Sequence, residues 1–416
     1  MIILIGLLSV FYFWGVPRIP FHPDESTYLF MSSDFEALLQ DPLSLAWQPG
    51  NEEDLRQYYR AVDAPLTRYV LGIGRSIAGL KALPADWDWS KSWEENQQAG
   101  ALPDERLLTA GRVAVTLLLL LSLVFIYLTG NLLGGRSTGL LAALLLGTNA
   151  LVLLHGRRAM TEGVLTLGVT LALWSILKAG RRPWLAGLGA ALAFNAKHTG
   201  LALLPVGLLA ACWPLPGSTF RWGKTAAGLA QYLGVFALLT LALNPFLWSK
   251  PVQAVQAAWS SRQTLVQRQL ADIRRLAPEL LLATPSRRAA VLVANLYLVE
   301  PAFAEVENYQ AETAGAELAY LAIPGHNTFR SPLWGGVLLT LTLAGMIIAI
   351  TRLRRLPADE RRNLVLVLIA TAAQVVGLIW LVPLPWQRYV VAVVPYACLW
   401  IGYCLNSFIE IQSEAG

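Results

Sequence analysis

The sequence predicts an all-α integral membrane protein, a polytopic bundle of about 10–11 transmembrane helices. Its composition is the first reason: 55% of the 416 residues are hydrophobic and only 14% are charged, with a mean hydropathy of +0.50. Soluble domains average roughly 25% charged residues. The second reason is that apolar runs of membrane-spanning length recur along the chain. The third is 15 Trp and 13 Tyr residues, whose amphipathic rings favour the headgroup level of a bilayer.

Ten apolar runs are long enough, or nearly long enough, to cross a bilayer, which takes about 20 residues. They are residues 1–17, 109–129, 138–154, 163–179, 184–196, 198–213, 226–248, 333–351, 363–382 and 389–408. The pair within 184–213 is interrupted by "NAKHTG", which is compatible with two short or broken helices. The first run lacks a basic region before it and an A-x-A-like cleavage site, so we expect a retained helix rather than a signal peptide.

Basic residues in the short loops predict the orientation of the bundle. One side holds ten of them: Arg136, Arg181, Arg182, Arg221, Lys224, Arg352, Arg354, Arg355, Arg361 and Arg362. The other side holds four: Arg157, Arg158, Lys197 and Arg388. The first side is therefore predicted to be cytoplasmic, with both termini inside. Arg18 alone argues the other way and is outweighed. We expect a multi-pass protein of the plasma (cell inner) membrane.

Two long polar segments then fall outside the cytoplasm, residues 18–108 (the first polar segment) and 249–332 (the second polar segment). We predict three parts: a transmembrane module over 1–248 that includes the first polar segment, the second polar segment itself, and C-terminal transmembrane helices over 333–416. Residues 251–281 carry apolar side chains at helical spacing: Val252, Val255, Trp259, Val266, Leu270, Ile273 and Leu280. This pattern predicts an amphipathic helix, either on the membrane surface or packed on the protein's own domain.

The unusual polar residues converge on the extracytoplasmic side. They are Asp24 and Glu25 after the first run, "DAPLTRY" (63–69), "HGRRAMTEG" (155–163), Lys197 and His198, "NPFLWSKP" (244–251) and "PLPWQRY" (383–389). Segments distant in sequence thus bring carboxylates and cations to one interface, where we predict the functional site, facing outward.

Each of these residues also has a simpler interpretation. The side chains of Arg157, Arg158 and Arg388 could extend to lipid headgroups. His198 could be a polar cap, and Glu162 could form an ordinary ion pair with the nearby arginines. Lys197 is harder to explain in this way, because an ionisable residue within apolar sequence is costly to bury and marks a functional site by default.

A carboxylate surrounded by cations at a lipid–water boundary suits a substrate that carries a lipid tail and a phosphate. If the phosphate bears a sugar, the reaction is glycosyl transfer. The carboxylate takes the proton of the acceptor hydroxyl, and the cations stabilise the charge on the departing phosphate. A single displacement of this kind needs one base and inverts the anomeric centre. Neither a metal nor another cofactor is expected.

Five places in the sequence resemble motifs of a known superfamily, the GT-C membrane glycosyltransferases, specifically the protein O-mannosyltransferase and aminoarabinose-transferase (ArnT)-like family. They are "HPDESTY" (22–28), "DAPLTRYVLGIG" (63–74), "HGRRAMTEGVLTL" (155–167), "GLGAALAFNAKHTGLALLP" (187–205), and the pair "LNPFLW" (243–248) and "WQRYVVAVVP" (386–395). The resemblance implies a GT-C-type helical bundle with amphipathic surface helices in the extracytoplasmic loops.

The resemblance also implies roles for single residues. Asp24 would be the catalytic base and Glu25 its catalytic neighbour. The donor phosphate would be bound by Lys197, Arg158, Arg157 and Arg388, and other parts of the substrates by Asp63, Arg68, Glu162, His198 and Tyr389. The expected partners are a polyprenyl-phosphate-linked sugar donor, membrane lipids, and a protein, lipid or glycan acceptor that offers a hydroxyl or phosphate. No nucleic acid is expected.

Two functions of other classes stay open. A flippase or transporter for polyprenyl-linked lipids could line its path with the same cations, although such folds often show internal repeats, and none is visible in this sequence. A non-catalytic membrane subunit is the third possibility.

Overall fold

The computed structural model describes residues 1–51, 53–213, 221–304 and 309–415, and within these ranges it is helical throughout, without a β-strand. The helices of the first half are α1 (Ile2–Gly15), α2 (Pro23–Met31), α3 (Asp34–Gln40), α4 (Leu55–Val62), α5 (Leu66–Ile77), α6 (Trp93–Gln98), α7 (Glu105–Gly147), α8 (Ala150–His155), α9 (Thr161–Lys178), α10 (Pro183–Ala196) and α11 (Leu204–Cys212). Those of the second half are α12 (Trp222–Leu243), α13 (Pro251–Leu276), α14 (Pro285–Val293), α15 (Gln310–Leu321), α16 (Pro332–Arg352), α17 (Ala358–Leu381) and α18 (Val394–Ala415).

Six described helical segments are long and apolar enough to cross a membrane: α7, α9, α12, α16, α17 and residues 387–409, which include α18. A seventh arises if the chain from α1 to α3 is one span, although it bends by 102° between Arg18 and Pro23. The predicted all-helical membrane fold is confirmed.

Helix α7 contains two of the predicted spans, 109–129 and 138–154, in part. Its 43 residues include a kink at Gly134 and Gly135, where the backbone leaves the helical region. Gly135 has φ of +80°, a left-handed conformation that glycine adopts without steric cost. The kink therefore divides one continuous run of helical residues into two arms.

The predicted interruption within residues 184–213 is confirmed. Helix α10 ends at Ala196, and Lys197 is extended, with φ of −160° and ψ of 140°. A 3₁₀ segment, His198–Leu203, then leads into α11. Because Lys197 leaves the helical register, its side chain lies at the end of the bundle, beside the start of α9, instead of on a helix face.

The core of the bundle forms where α7, α9, α10 and α18 pack against one another. Small residues permit the closest of these approaches, as is usual between membrane helices. A Cβ atom on Gly168 of α9 would stand 2.7 Å from the Cα atom of Ala193 on α10. The bundle is thus a closely packed scaffold for the polar residues at its end.

Helix α13 confirms the amphipathic helix predicted in the second polar segment. It contacts α4 and buries Ala254, yet Val252 and Trp259 are 70% and 67% exposed. Large apolar side chains exposed along one helix favour the membrane-surface alternative for that face, while α4 supports the helix from within. Residues 305–308 of the second polar segment lie outside the described ranges.

Candidate active site

The sequence around Asp24 forms a capped helix start. His22 is the N-cap of α2, and its Nδ1 accepts a hydrogen bond from the Asp24 backbone N–H at 3.1 Å. The Glu25 carboxylate in turn accepts one from the His22 backbone N–H at 3.1 Å, which completes a capping box, and Pro23 occupies the first helical turn. These contacts fix the backbone at Asp24.

Glu25 is fully buried, and the protein itself occupies its carboxylate. Oε1 accepts from Nε of Arg112 at 2.8 Å and from the Ala159 backbone N–H at 2.8 Å. Oε2 accepts from Nη2 of Arg112 at 2.7 Å, besides the His22 N–H. Both oxygens are therefore used inside the fold. This geometry gives Glu25 the task of anchoring α2 to α7 instead of the catalytic contact with substrate that its position beside Asp24 predicts.

Asp24 faces the other way from Glu25. Its side chain is 23% exposed and forms an ion pair with Arg388, which lies just before α18 in the chain. Tyr28, one helical turn later, lies on the same side of α2, within electrostatic reach of Asp24, Glu162 and Arg388. One turn of helix thus directs one carboxylate into the fold and the other into the partly exposed space beside Arg388, which we call the cleft.

Three cations lie near Tyr389, and one of them, Arg388, is the ion-pair partner of Asp24. The ammonium of Lys197 stands 4.8 Å from the Tyr389 ring centroid. The side chain of Arg262, from α13, hydrogen bonds to that of Tyr389. Arg388 is the preceding residue, and its guanidinium stands 5.1 Å from the Trp386 ring centroid. We call Lys197, Arg262 and Arg388 the cation cluster.

Two carboxylates accompany the cation cluster. Glu162, buried in the first turn of α9, accepts a hydrogen bond from the Lys197 ammonium at 2.6 Å, and its Oε2 has no hydrogen-bond partner. Asp63, at the junction of α4 and α5, lies within electrostatic reach of Arg262 and Asp24. Burial raises the pKa of Asp63 above the ordinary aspartate value, and the charge of Arg262 opposes that rise.

Arg68 and His198, both predicted to bind substrate, lie beside the cleft. Arg68 is buried and donates to Oδ2 of Asp34 at 3.1 Å and to the backbone carbonyl of Asp63 at 2.8 Å. Its guanidinium is therefore committed to holding the α4–α5 junction. His198 packs its ring 5.3 Å from that of Phe194, within electrostatic reach of Arg262.

Arg157 and Arg158, predicted as donor-phosphate ligands, are buried under the second polar segment. Arg157 donates to the backbone carbonyl of Leu153 at 2.6 Å and contacts Tyr320 and His326. Arg158 donates to the carbonyls of Pro20 and Phe303. Their contacts bind the polar segments to the bundle, so the position of these arginines does not support the predicted phosphate role.

Sequence reasoning missed Tyr28 and Arg262. Tyr28 stands four residues after Asp24 in the quoted "HPDESTY", so helical spacing could have placed it on the Asp24 side. No comparable signal distinguishes Arg262 from the other arginines of α13, because its role depends on how α13 crosses the bundle end. In the ranges that the structure describes, no group of three or more His, Cys, Asp or Glu side chains could hold a metal ion.

A family model supports the resemblance drawn from the motifs. The model described as dolichyl-phosphate-mannose-protein mannosyltransferase matches residues 104–248, about a third of the chain. That segment contains Glu162 and Lys197 but neither Asp24 nor Arg388. No curated protein matches the chain.

Solved structures of GT-C enzymes share the fold. The oligosaccharyltransferase of Archaeoglobus fulgidus tethered to an acceptor peptide aligns with a TM-score of 0.55 at 14% identity, over 99% of this chain and 50% of that one. The same enzyme, AglB, with an inhibitory peptide and a dolichol-phosphate, gives 0.52 at 13% identity, over 100% and 52%. ArnT from Cupriavidus metallidurans bound to undecaprenyl phosphate gives 0.48 at 14% identity, over 97% and 60%.

This chain spans about half the length of the oligosaccharyltransferase chains that it matches. The alignment nevertheless extends over nearly all of the present chain, so the GT-C-type helical fold is confirmed.

Proposed function

We propose that the protein is an inverting membrane glycosyltransferase that moves a sugar from a polyprenyl-phosphate-sugar donor to an acceptor on the extracytoplasmic face. One observation carries the proposal: the partly exposed carboxylate of Asp24 shares a cleft with the three cations that lie near Tyr389. A base beside a cluster of positive charge is what a displacement at a sugar phosphate requires.

In the proposed reaction, Asp24 accepts the proton of the acceptor hydroxyl. The acceptor oxygen then forms a bond to the anomeric carbon as the bond from that carbon to the phosphate oxygen breaks. The bonding electron pair leaves with the phosphate, whose charge the cation cluster stabilises. Arg388 contacts Asp24 directly and so holds the carboxylate in place.

Besides its contact with the Tyr389 ring, the Lys197 ammonium forms an ion pair with the carboxylate of Glu162. We propose that the donor phosphate draws the ammonium into the cleft while Glu162 keeps it oriented. The side chain of Tyr389, which is bonded to Arg262, is a further group beside the cations that the donor phosphate would meet.

The lipid part of the donor would lie on the apolar side of Tyr389. A hollow there is lined by Trp386 and Tyr389 and walled by Leu292 of α14 and Leu378 of α17. An isoprenoid chain resting against this wall would keep its phosphate beside the cation cluster. The arrangement supports a membrane-embedded donor at the plasma membrane, with the acceptor arriving from the outward side.

Purified protein incubated with a panel of polyprenyl-phosphate sugars is expected to release polyprenyl phosphate from one of them, with inversion at the anomeric carbon. Chromatography of the lipid product and NMR of the glycosidic linkage measure both. If no donor is turned over but the labelled lipid crosses proteoliposome membranes, the flippase is the correct function. If neither occurs, the non-catalytic subunit is favoured.

Replacement of Arg262 by Met is expected to raise KM for the lipid donor about 10- to 100-fold, because a partly buried, charge-assisted contact to phosphate is lost. The value of KM for the acceptor should change far less. Initial rates at varied donor concentration test this.

Arg275→Met is the matched control, since Arg275 lies on the same helix, is exposed, and pairs only with Asp272 among the contacts described. Donor KM in this variant should equal that of the unmodified protein. Equal effects of the two substitutions would show that general charge on α13, not the contact with Tyr389, attracts the donor.

A further inference from the structure

A second group of acidic and aromatic residues, which we call the acidic wall, lies within electrostatic reach of Asp24. Asp86, in the loop between α5 and α6, accepts a hydrogen bond from the Tyr59 hydroxyl at 2.5 Å and contacts Thr27 of α2. The negative charge of Asp24 acts on both Asp86 and Tyr59, so this wall borders the proposed base.

Aromatic side chains form a cluster next to Asp86. Trp87 packs against Phe21 at 5.9 Å, Trp93 at 5.6 Å and Tyr309 at 6.4 Å between ring centroids. Tyr309 in turn contacts Trp89 at 6.1 Å and the N-cap His22. Trp89 is 40% exposed, so the aromatic cluster reaches the protein surface at this indole.

Two buried polar atoms of this wall have no hydrogen-bond partner. One is the indole N–H of Trp87, a side chain only 3% exposed, and the other is Oδ1 of Asp86. A buried donor or acceptor left unpaired costs about 1–3 kcal/mol, so a ligand or water that bonds to these two atoms would be stabilised there. An N–H donor and a carboxylate acceptor on adjacent residues can both bond to hydroxyls of a sugar ring.

The positive and the negative side chains lie in different parts of the site. Lys197, Arg262 and Arg388 lie near Tyr389, whereas Asp86 lies within electrostatic reach of Asp24. Burial and the neighbouring charge of Asp24 both raise the pKa of Asp86. A second anion brought to this wall would meet the same repulsion, so an acceptor with a phosphate or carboxylate is disfavoured there.

We propose that Asp86, Trp87 and Trp89 form the acceptor site and that the acceptor is a neutral carbohydrate, stacked on Trp89 with hydroxyls at Asp86 and Trp87. This deepens the proposed function and rests on it. A sugar ring offers an apolar C–H face for the indole and a rim of hydroxyls for the carboxylate. One of its hydroxyls reaches Asp24, gives up its proton there and attacks the donor sugar.

The test uses saturation-transfer NMR on the full protein in nanodiscs, with methyl glucosides, methyl mannosides and short gluco- and manno-oligosaccharides as probes. At least one neutral glycoside is expected to bind, and the matching methyl glucuronide at least 10-fold more weakly. Trp89→Ala and Asp86→Asn should each weaken glycoside binding about 10-fold and raise acceptor KM alike, with donor KM unchanged. Trp222→Ala, which removes an exposed tryptophan at the start of α12, is the control and should bind normally.

Equal binding of the glucoside and the glucuronide would overturn the proposal, as would transfer to a Ser/Thr peptide that neither substitution slows. Binding is measured without turnover, so the two proposals fail separately. If the unmodified protein releases no polyprenyl phosphate from any donor yet binds glycosides through Trp89, the transferase proposal fails and the carbohydrate site stands.

Discussion

Asp24→Asn is expected to lower the rate of sugar transfer about 100- to 10,000-fold, the range that a general base contributes. The amide has the shape of the carboxylate, can still bond to Arg388, and cannot take a proton from the acceptor. Because the side chain is partly exposed, its replacement leaves no buried charge uncompensated within α2. The measurement is release of polyprenyl phosphate at saturating donor and acceptor, beside a thermal unfolding curve.

Asp272→Asn provides the same chemical change on exposed α13, where Asp272 contacts only Arg275 among the bonds described, and it should transfer at the normal rate. Donor affinity distinguishes loss of the base from loss of donor binding. Asp24→Asn should bind the donor as tightly as the unmodified protein, since the cation cluster makes the proposed phosphate contacts. Near-normal transfer by Asp24→Asn would remove the base from the proposal and with it the proposed mechanism.

The fold was predictable because its determinants are local. The apolar runs, the "NAKHTG" interruption and the helical spacing in α13 each follow from a short stretch of sequence, and helices occupy these stretches. Only six described segments, or seven if the bent chain from α1 to α3 is one span, are long and apolar enough to cross a membrane, against the 10–11 predicted. The joining of 109–129 and 138–154 across Gly134 and Gly135 was not foreseen, because a left-handed glycine can end a helix or merely bend it.

The candidate site was predictable only in part. Asp24, Lys197 and Arg388 are brought together, since all three lie at breaks between apolar segments that end at the same side. Arg157 and Arg158 lie at such a break too, yet both are buried beneath the second polar segment. How a long polar segment folds back over the bundle depends on tertiary contacts, which loop charges do not encode.

The adjacent pair Asp24 and Glu25 illustrates the same limit. Sequence position makes the two carboxylates equivalent, and helix geometry then separates them by about 100°, since an α-helix turns 3.6 residues per revolution. Arg112, more than eighty positions later, selects Glu25 as its partner and leaves Asp24 to the cleft. We therefore expect substitution of Asp24 to lower the rate of sugar transfer and substitution of Glu25 to lower the stability of the fold.

Arg112→Met is expected to destabilise the protein by about 3–5 kcal/mol, the cost of leaving one member of a buried ion pair without its partner. The variant would keep the Glu25 carboxylate buried against the Ala159 and His22 backbone N–H groups, with no cation to balance it. Loss of the Arg112 bond to the carbonyl of Ile19, at 2.7 Å, would also loosen the turn before α2. Thermal unfolding in detergent, followed by intrinsic tryptophan fluorescence, gives the measurement.

Two further variants separate charge burial from the loss of packing. Arg106→Met removes an exposed arginine from the first turns of the same helix and should leave the unfolding curve unchanged. The double variant Arg112→Met with Glu25→Gln removes both charges while the amide oxygen still accepts from the Ala159 and His22 N–H groups, so it should recover much of the lost stability. If the double variant is as unstable as Arg112→Met alone, the arginine contributes through its bonds to backbone carbonyls rather than through Glu25. If instead Arg112→Met unfolds normally but transfers no sugar, Glu25 acts in catalysis, and the division of tasks along α2 would be reversed.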